Sequence, residues 1–273
     1  MEVSVYTADG KSFVNVSVEN ISSQQYAQVS DALMQALERE QKAYKAVAEA
    51  MLTAIRLCPD ANPADLWVHL VYHEYRYRAG RSDQSWKRVS GQAFEDVVLT
   101  VYQPRLAEFG LYMRLGKTAD AQALGLRERG MGSAKTDLVL EGRVGDITSR
   151  FGVLHCKASI AERLSDDAPA SQFLIESGYW SAVVTMDAKM FPPPYGDAVV
   201  RGELRGVLSD KRGYIERGGL FSACYSFNTR TPSTEGQTLS GARILSLTFS
   251  EEQPDLLVQG IVAAWKEFQN RSL

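Results

Sequence analysis

The spacing of apolar residues divides the first part of the chain into two kinds of structure. Residues 1–20 alternate apolar and polar side chains around the turn Asp9-Gly10, which predicts a small β-hairpin. From Ser22 the apolar residues fall mostly three or four positions apart, and this helical run continues to the Cys58-Pro59 step. We therefore expect a hairpin followed by a layer of helix.

Proline and glycine mark the ends of the next two helices. Asn62 followed by Pro63 predicts an N-cap with proline at the first helical position, and this helix should end before Gly80. Residues 80–91 are polar and flanked by glycine, so we expect a connection there. A further helix should follow it and stop at Pro104.

Beyond residue 136 short apolar runs alternate with amphipathic stretches. The runs predict strands at 137–140, 152–158, 181–185, 220–227 and 244–249, and the stretches between them predict helices at 161–177 and 255–270. Such a mixture is typical of an α/β fold with helices around a mixed central sheet. We therefore divide the chain into a mostly helical accessory domain, residues 1–80, and a domain that holds the sheet, residues 81–273.

Length and composition limit the class of protein. A chain of 273 residues with 45% hydrophobic content can bury a sizeable core. It has no run of eighteen apolar residues, and its N-terminus lacks the basic and apolar regions of a secretory signal. We expect neither a membrane span nor secretion, and therefore a cytoplasmic protein.

The cysteine count argues against a disulfide-bonded or zinc-binding protein, and the net charge argues against a generally basic one. The three cysteines, Cys58, Cys156 and Cys224, form no CxxC pair, so we expect buried thiols rather than disulfides or a zinc site. Lys and Arg number 30 against 33 Asp and Glu, which gives a net charge of −3. Any contact with nucleic acid must therefore come from a local basic patch.

The residues with the clearest chemistry lie on and beside the strand at 152–158. Val153, His155 and Lys157 share one face of that strand, while Cys156 belongs to the other, inward face. If 137–140 is the antiparallel neighbour, Asp137 converges with His155 and Lys157 on a patch away from the core. Hydrolysis of a phosphodiester needs these types of group.

Each of these groups suggests a separate role. Asp137 is a hard oxygen ligand suited to Mg²⁺, and Lys157 can bind the scissile phosphate and help to position or deprotonate a water molecule. Because Mg²⁺ prefers oxygen to imidazole, we expect His155 to transfer protons or bind phosphate. The second metal-binding acid must come from elsewhere, and Glu95 and Glu176 are both candidates, of which we favour Glu95.

This pattern resembles the PD-(D/E)XK nucleases, and within them the type II restriction endonucleases that recognise sites containing CCGG. The resemblance covers roughly residues 80–250 and rests on Asp137, His155-x-Lys157 and Glu95, followed by the pair Glu162-Arg163. It implies a restriction-endonuclease-like mixed sheet, Mg²⁺ as cofactor, and a homodimer that cuts palindromic double-stranded DNA. The chain departs from the family pattern at Thr136, where proline usually precedes the aspartate.

The resemblance also assigns Glu162 and Arg163 to the reading of the C·G pairs. Their chemistry agrees with this, because arginine pairs with guanine O6 and N7 and a glutamate accepts from cytosine N4. A solvated ion pair at a helix start is the alternative interpretation. Weaker candidates for DNA contact follow from position: Lys87, Arg88 and Gln92, just before the Glu95 helix, could hold phosphates or the minor-groove edge. Asn228 and Arg230 stand in a loop that this kind of fold can place near the flanking bases, with plain turn chemistry as the alternative.

Two other functions remain open at this point. A structure-selective repair or recombination nuclease would carry the same groups but cut branched DNA without a sequence rule. A non-catalytic DNA-binding protein on the same fold would bind without Mg²⁺ and hydrolyse nothing. The simultaneous presence of Asp137 and Lys157 weighs against the second alternative.

Overall fold

The computed structural model describes residues 1–40, 42–131, 136–160, 163–206, 209–250 and 255–272, with the side chains of Arg163 and Ser272 outside the description. The chain begins with the expected hairpin, in which β1 (Glu2–Tyr6) and β2 (Phe13–Ser17) pair antiparallel.

Two helices replace the single helical run expected after the hairpin. Ser22 caps α1 (Ser23–Arg39), and its side chain accepts a hydrogen bond from the backbone of Gln25. Glu40 and Lys42 have extended backbone, which interrupts the helix before α2 (Ala43–Leu57) begins. The expectation of one continuous run is therefore wrong, because an apolar spacing that continues across a turn does not reveal the turn.

The next helix begins as expected at Pro63, with Asn62 as its N-cap. The segment α3 (Pro63–Asp65) continues as π-helical turns at Leu66–Tyr72 and Glu74–Arg78, so that it ends before Gly80.

The helix that carries Glu95 is longer at both ends than the sequence suggested. Ser82 caps α4 (Asp83–Ala107), so the polar residues 83–91 are helical rather than a connection. Trp86 explains this, since its ring packs 5.2 Å from that of Trp67 and ties the first turns to the helical layer. Pro104 lies in the last turn, where it removes only one hydrogen bond and does not end the helix.

A six-stranded mixed sheet forms the centre of the molecule, as expected for the fold. Its strands lie in chain order: β3 (Leu111–Leu115), β4 (Leu138–Val144), β5 (Ile147–Lys157), β6 (Trp180–Thr185), β7 (Ala223–Ser226) and β8 (Ile244–Ser246). The first three strands pair antiparallel, and β5 to β8 pair parallel. The sequence had not indicated β3, and β7 and β8 are shorter than the apolar runs that predicted them.

Helices connect and cover the strands. In chain order they are α5 (Thr118–Ala123), a 3₁₀ turn at Arg127–Arg129, α6 (Arg163–Glu176), α7 (Asp210–Glu216) and α8 (Leu256–Ser272). Of these, α6 is the crossover that allows β5 and β6 to run parallel. Among the described helices, none combines the length and apolar character needed to cross a membrane.

One hydrophobic core joins the N-terminal helices to the sheet. It contains Leu33 of α1 and Met51 of α2 together with Phe94 of α4 and Leu154 of β5, all essentially without solvent exposure. The helical layer therefore packs on the same interior as β5. The division into domains at residue 80 stays a prediction.

Candidate active site

The hairpin of β4 and β5 brings Asp137 and Lys157 together. The register pairs Leu138 with Leu154, which places Asp137 beside the carboxyl end of β5. Its Oδ2 accepts hydrogen bonds from the backbone N–H of Cys156 and from Nζ of Lys157, both at 2.8 Å. The convergence expected from the sequence is thus present.

A second carboxylate holds the same lysine, and sequence reasoning missed it. Nζ of Lys157 lies 2.7 Å from Oδ2 of Asp167 on α6, whose side chain is almost fully buried. A signal was available, because a helix that starts directly after β5 has its first turns at the carboxyl end of that strand. An acid in those turns lies near Lys157, whereas one at the far end does not.

Glu176 occupies that far end. It is the last residue of α6, it is exposed, and it accepts a hydrogen bond from Gln172 at 2.9 Å. Nine residues of helix separate it from Asp167, a rise of about 13 Å. The structure therefore contradicts Glu176 as the second metal-binding acid.

Glu95 borders the cluster from α4 and is half-buried. Burial and, after it, the negative charge of Asp137 raise its pKa, Lys157 partly opposes them, and the resulting pKa is about 7. Burial alone would lower the pKa of Lys157, but Asp137 and Asp167 outweigh it and leave the pKa above its usual value. The lysine is therefore a cation, and Glu95 titrates near neutral pH.

His155 lies deeper than the sequence suggested. The side chain has no solvent exposure, because α6 covers the face of β5 that was expected to lie away from the core. Its Nε2 lies 3.0 Å from Oγ of Ser181, and its Nδ1 lies 3.5 Å from Oδ2 of Asp167. Proton transfer to a bound phosphate needs an accessible ring, so the expected role of His155 is corrected to that of a buried neighbour of Asp167.

The side chains of this cluster fit a divalent cation that prefers oxygen ligands. One ligand atom each from Asp137, His155 and Asp167 lies within 4.8 Å of the others. Among the described residues, Asp137, Asp167 and Glu95 bring three carboxyl groups to the ammonium of Lys157. Carboxylate oxygens are what Mg²⁺ prefers, while the Nε2 of His155 is already engaged by Ser181.

The residue after the edge strand β3 fixes the backbone of the residues that precede β4 in the chain. The N–H of Gly116, just after β3, donates to the carbonyl of Asp137 at 3.0 Å. The approach is close enough that a Cβ at Gly116 would lie 1.8 Å from the carbonyl oxygen of Thr136. Only glycine fits there, and it fixes the residue that precedes the metal-binding candidate.

Two residues that were expected to contact DNA are bound to protein atoms instead. Asn228 is fully buried, and its Nδ2 donates to the carbonyls of Asp187 and Val200. The guanidinium of Arg230 makes two 2.7 Å bonds to the carboxylate of Asp65. Both predictions are therefore corrected, because the groups that would meet a base already bind protein atoms.

The remaining candidates for DNA contact are not contradicted. Lys87, Arg88 and Gln92 are exposed on α4, where Lys87 forms a 3.0 Å ion pair with Asp83. Glu162 lies outside the described residues, and so does the side chain of Arg163, whose backbone begins α6. These assignments stay predictions.

Comparison with known proteins identifies the family. No protein-family profile matches the chain. The type II restriction enzyme AgeI from Thalassovita gelatinovora is 42% identical over 263 residues, which cover 89% of this chain and 94% of the relative. The crystal structure of the specific restriction endonuclease AgeI-DNA complex matches with a TM-score of 0.88 and 39% identity over 97% of this chain and 99% of that chain. With the nuclease-like cluster on a mixed sheet, this similarity shows that the chain belongs to the type II restriction enzymes, the sequence-specific DNA endonucleases.

Proposed function

We propose that this endonuclease cleaves double-stranded DNA at a palindromic site containing CCGG, with Mg²⁺ as cofactor and as a homodimer. The observation that carries the proposal is the position of Lys157, whose Nζ lies between Asp137 at 2.8 Å and Asp167 at 2.7 Å. Two acids and a lysine at the end of a β-hairpin can supply the oxygen ligands and the cation that metal-assisted hydrolysis of a phosphodiester uses.

Asp137, Asp167 and Glu95 are the residues that would hold the metal. Among the described residues these three carboxyl groups face the ammonium of Lys157, and a divalent cation that prefers oxygen ligands suits such a donor set. When bound, Mg²⁺ supplies Lewis-acid stabilisation of the charge that develops on the phosphate and makes water a better nucleophile.

The chain's own groups orient the reaction. Lys157 keeps its proton, so its ammonium attracts a phosphate oxygen and orients the attacking water by donating hydrogen bonds. Asp137 fixes that ammonium and is itself fixed by the backbone of Cys156. Glu95, with a pKa of about 7, can accept a proton from water near neutral pH. His155 and Ser181 fill the space behind Asp167 and keep solvent out.

Recognition of the CCGG sequence is assigned to Glu162 and Arg163, following the family resemblance. The start of α6 lies directly after the catalytic strand, so residues there can enter the major groove beside the scissile phosphate. A palindrome presents two equivalent half-sites, which a two-fold symmetric homodimer matches with one active centre for each strand. Such DNA is met in the cytoplasm, where we place the protein.

Digestion of phage DNA with Mg²⁺ tests the activity and the site together. We expect discrete bands whose mapped ends all fall within sequences that contain CCGG. Asp137→Ala and addition of EDTA should each abolish cutting. A random smear would refute site specificity, and discrete bands from Asp137→Ala would refute the assigned centre.

Truncation cannot test the role of the helical accessory domain, residues 1–80, so the homodimer is tested on the full chain. Because residues 1–80 share a core with β5, their removal would unfold the protein whatever their role. Sedimentation of the full chain with and without the mapped site tests the homodimer directly. A single chain bound to each complete site would refute it.

A further inference from the structure

A positively charged surface lies beside the active site and has no role in the proposals above. It consists of Lys189, Phe191 and Arg205, on the segment that follows β6, and we call it the Phe191 surface. Nζ of Lys189 lies 5.7 Å from the centre of the Phe191 ring, and Cζ of Arg205 lies 5.0 Å from it. One aromatic ring therefore supports two cations.

The Phe191 surface starts at the same edge of the sheet as the catalytic lysine. Because β5 and β6 are parallel, the chain leaves β6 where Lys157 ends β5. The N–H of Met186 donates to the carbonyl of Lys157, and that of Ala188 donates to the carbonyl of Ala158, both at 3.2 Å. Lys189 thus follows directly after a backbone contact with the active-site strand.

Lys189 also lines one wall of a cleft beside that strand. The cleft has a volume of about 420 Å³, and Ser159, two residues beyond the catalytic lysine, contributes to its lining. Lys87 and Trp86 line it from α4. Lys87 and Lys189 therefore border the cleft from two elements, and Asp83, which also lines it, forms a 3.0 Å ion pair with Lys87.

The cations of the Phe191 surface are not ion-paired within the described part of the chain, although Arg205 contributes, after Arg201, to the lowered pKa of Asp197. There, neither Lys189 nor Arg205 forms an ion pair, and both side chains are exposed. The neighbouring carboxylate of Asp197 is bound instead by Arg201 at 2.6 Å. Cations restrained against a ring but unpaired have less side-chain entropy to lose when they bind an anion.

We propose that Lys189 and Arg205 bind phosphates of the DNA backbone next to the cleavage position, with Phe191 as their common platform. The proposal rests on the proposed function, since its ligand is the double-stranded DNA substrate. A phosphate contact carries no base information, so these residues add affinity to any sequence and set the position of the duplex over Lys157.

The size of the effect follows from counterion release. Each phosphate contact contributes about 0.9 to the slope of log affinity against log salt concentration. Loss of one contact should weaken binding about eightfold at ~0.1 M salt, and loss of both should weaken it about sixtyfold. All affinities should converge toward ~1 M salt.

The test measures binding to a labelled duplex of unrelated sequence in EDTA, across a salt series, so that no hydrolysis interferes. Lys189→Ala, Arg205→Ala and the double variant are compared with wild type. Lys189→Arg keeps the charge and should keep the slope. Lys266→Ala is the matched control, because Lys266 is exposed on α8, which packs on Phe151 near the other end of β5.

Two results would overturn the proposal. One is that Lys189→Ala and Arg205→Ala give the same slope as Lys266→Ala. The other is that Lys189→Arg lowers the slope of log affinity against log salt concentration as much as Lys189→Ala does, which would exclude charge as the cause. Digestion of DNA by the wild type with Mg²⁺, run in parallel, distinguishes failure of this proposal from failure of the proposed function. Discrete cutting with unchanged slopes refutes only the Phe191 surface, whereas wild type that neither binds nor cuts refutes the proposed function as well.

Discussion

Replacement of Gly116 by alanine should disable the active site without touching any of its functional groups. The added Cβ would lie 1.8 Å from the carbonyl oxygen of Thr136, a distance that must grow to at least 3.0 Å. The backbone before Asp137 must therefore move by about 1.2 Å relative to β3. Since the Gly116 N–H also donates to the carbonyl of Asp137, the movement passes directly to that residue.

A displacement of this size has a large expected effect on chemistry. A misplacement of about 1 Å in a catalytic constellation costs on the order of 100-fold in rate. The strain itself should lower the free energy of unfolding by about 1–3 kcal/mol, as overpacking does elsewhere. The phosphate contacts proposed for Lys189 and Arg205 lie on another segment of the chain, so affinity for DNA should change little.

Single-turnover cleavage of the mapped site, with DNA affinity measured separately in EDTA, checks this prediction. Gly206→Ala is the control, because a Cβ at Gly206 meets nothing within 4 Å and its backbone is not strained. Gly116→Ala that cleaves as fast as Gly206→Ala would refute the argument. So would a parallel loss of cleavage and DNA binding, because the cause would then be general misfolding.

Three further predictions concern single side chains. Asp167→Asn should lose at least about 100-fold in cleavage rate because it removes a charge from the reacting centre, while Glu176→Gln should match wild type in the same assay. The pKa of Glu95 is raised from its ordinary value of 4.5 to about 7 in the folded protein, so the ionised carboxylate destabilises the fold at pH 8, whereas at pH 4 the group is mostly protonated. Glu95→Gln should therefore raise the free energy of unfolding of the metal-free protein at pH 8 but not at pH 4. That shift converts to roughly 3 kcal/mol, which partial exposure reduces to about 1–2, and equal melting of both proteins at pH 8 would contradict it. Arg230→Ala should lower the free energy of unfolding by about 2–3 kcal/mol, because it leaves the buried carboxylate of Asp65 without its ion-pair partner. A fall in the salt slope of DNA binding would show instead that Arg230 contacts DNA.

Local sequence patterns were enough to predict the centre of this fold. The alternation at 152–158 placed β5, and the short run after Asp137 placed its antiparallel partner β4. The same alternation could not show that both faces of β5 are covered, because a helix elsewhere in the sequence decides that. His155 was therefore expected at the surface and lies in the interior.

The parts that failed depend on contacts between distant residues. Asn228 and Arg230 have the composition of a binding loop, but their partners, Asn62 and Asp65, lie more than 160 positions earlier. Asp167 was missed for a different reason, since it lies only ten positions after Lys157 and the prediction considered no metal-binding acid in the first turns of the helix that follows β5. A pattern along the chain reveals which face a residue occupies, but not what covers that face.

The three carboxyl groups around Lys157 should make metal and DNA binding interdependent. In the metal-free protein, Asp137, Asp167 and ionised Glu95 repel a phosphate that approaches the ammonium they surround. A divalent cation removes that repulsion, so it should raise affinity for DNA at the reacting phosphate. Thermodynamic reciprocity then requires that DNA raise the affinity for the cation by the same factor. The reaction centre is thereby completed on DNA rather than in free solution, and each ligand recruits the other.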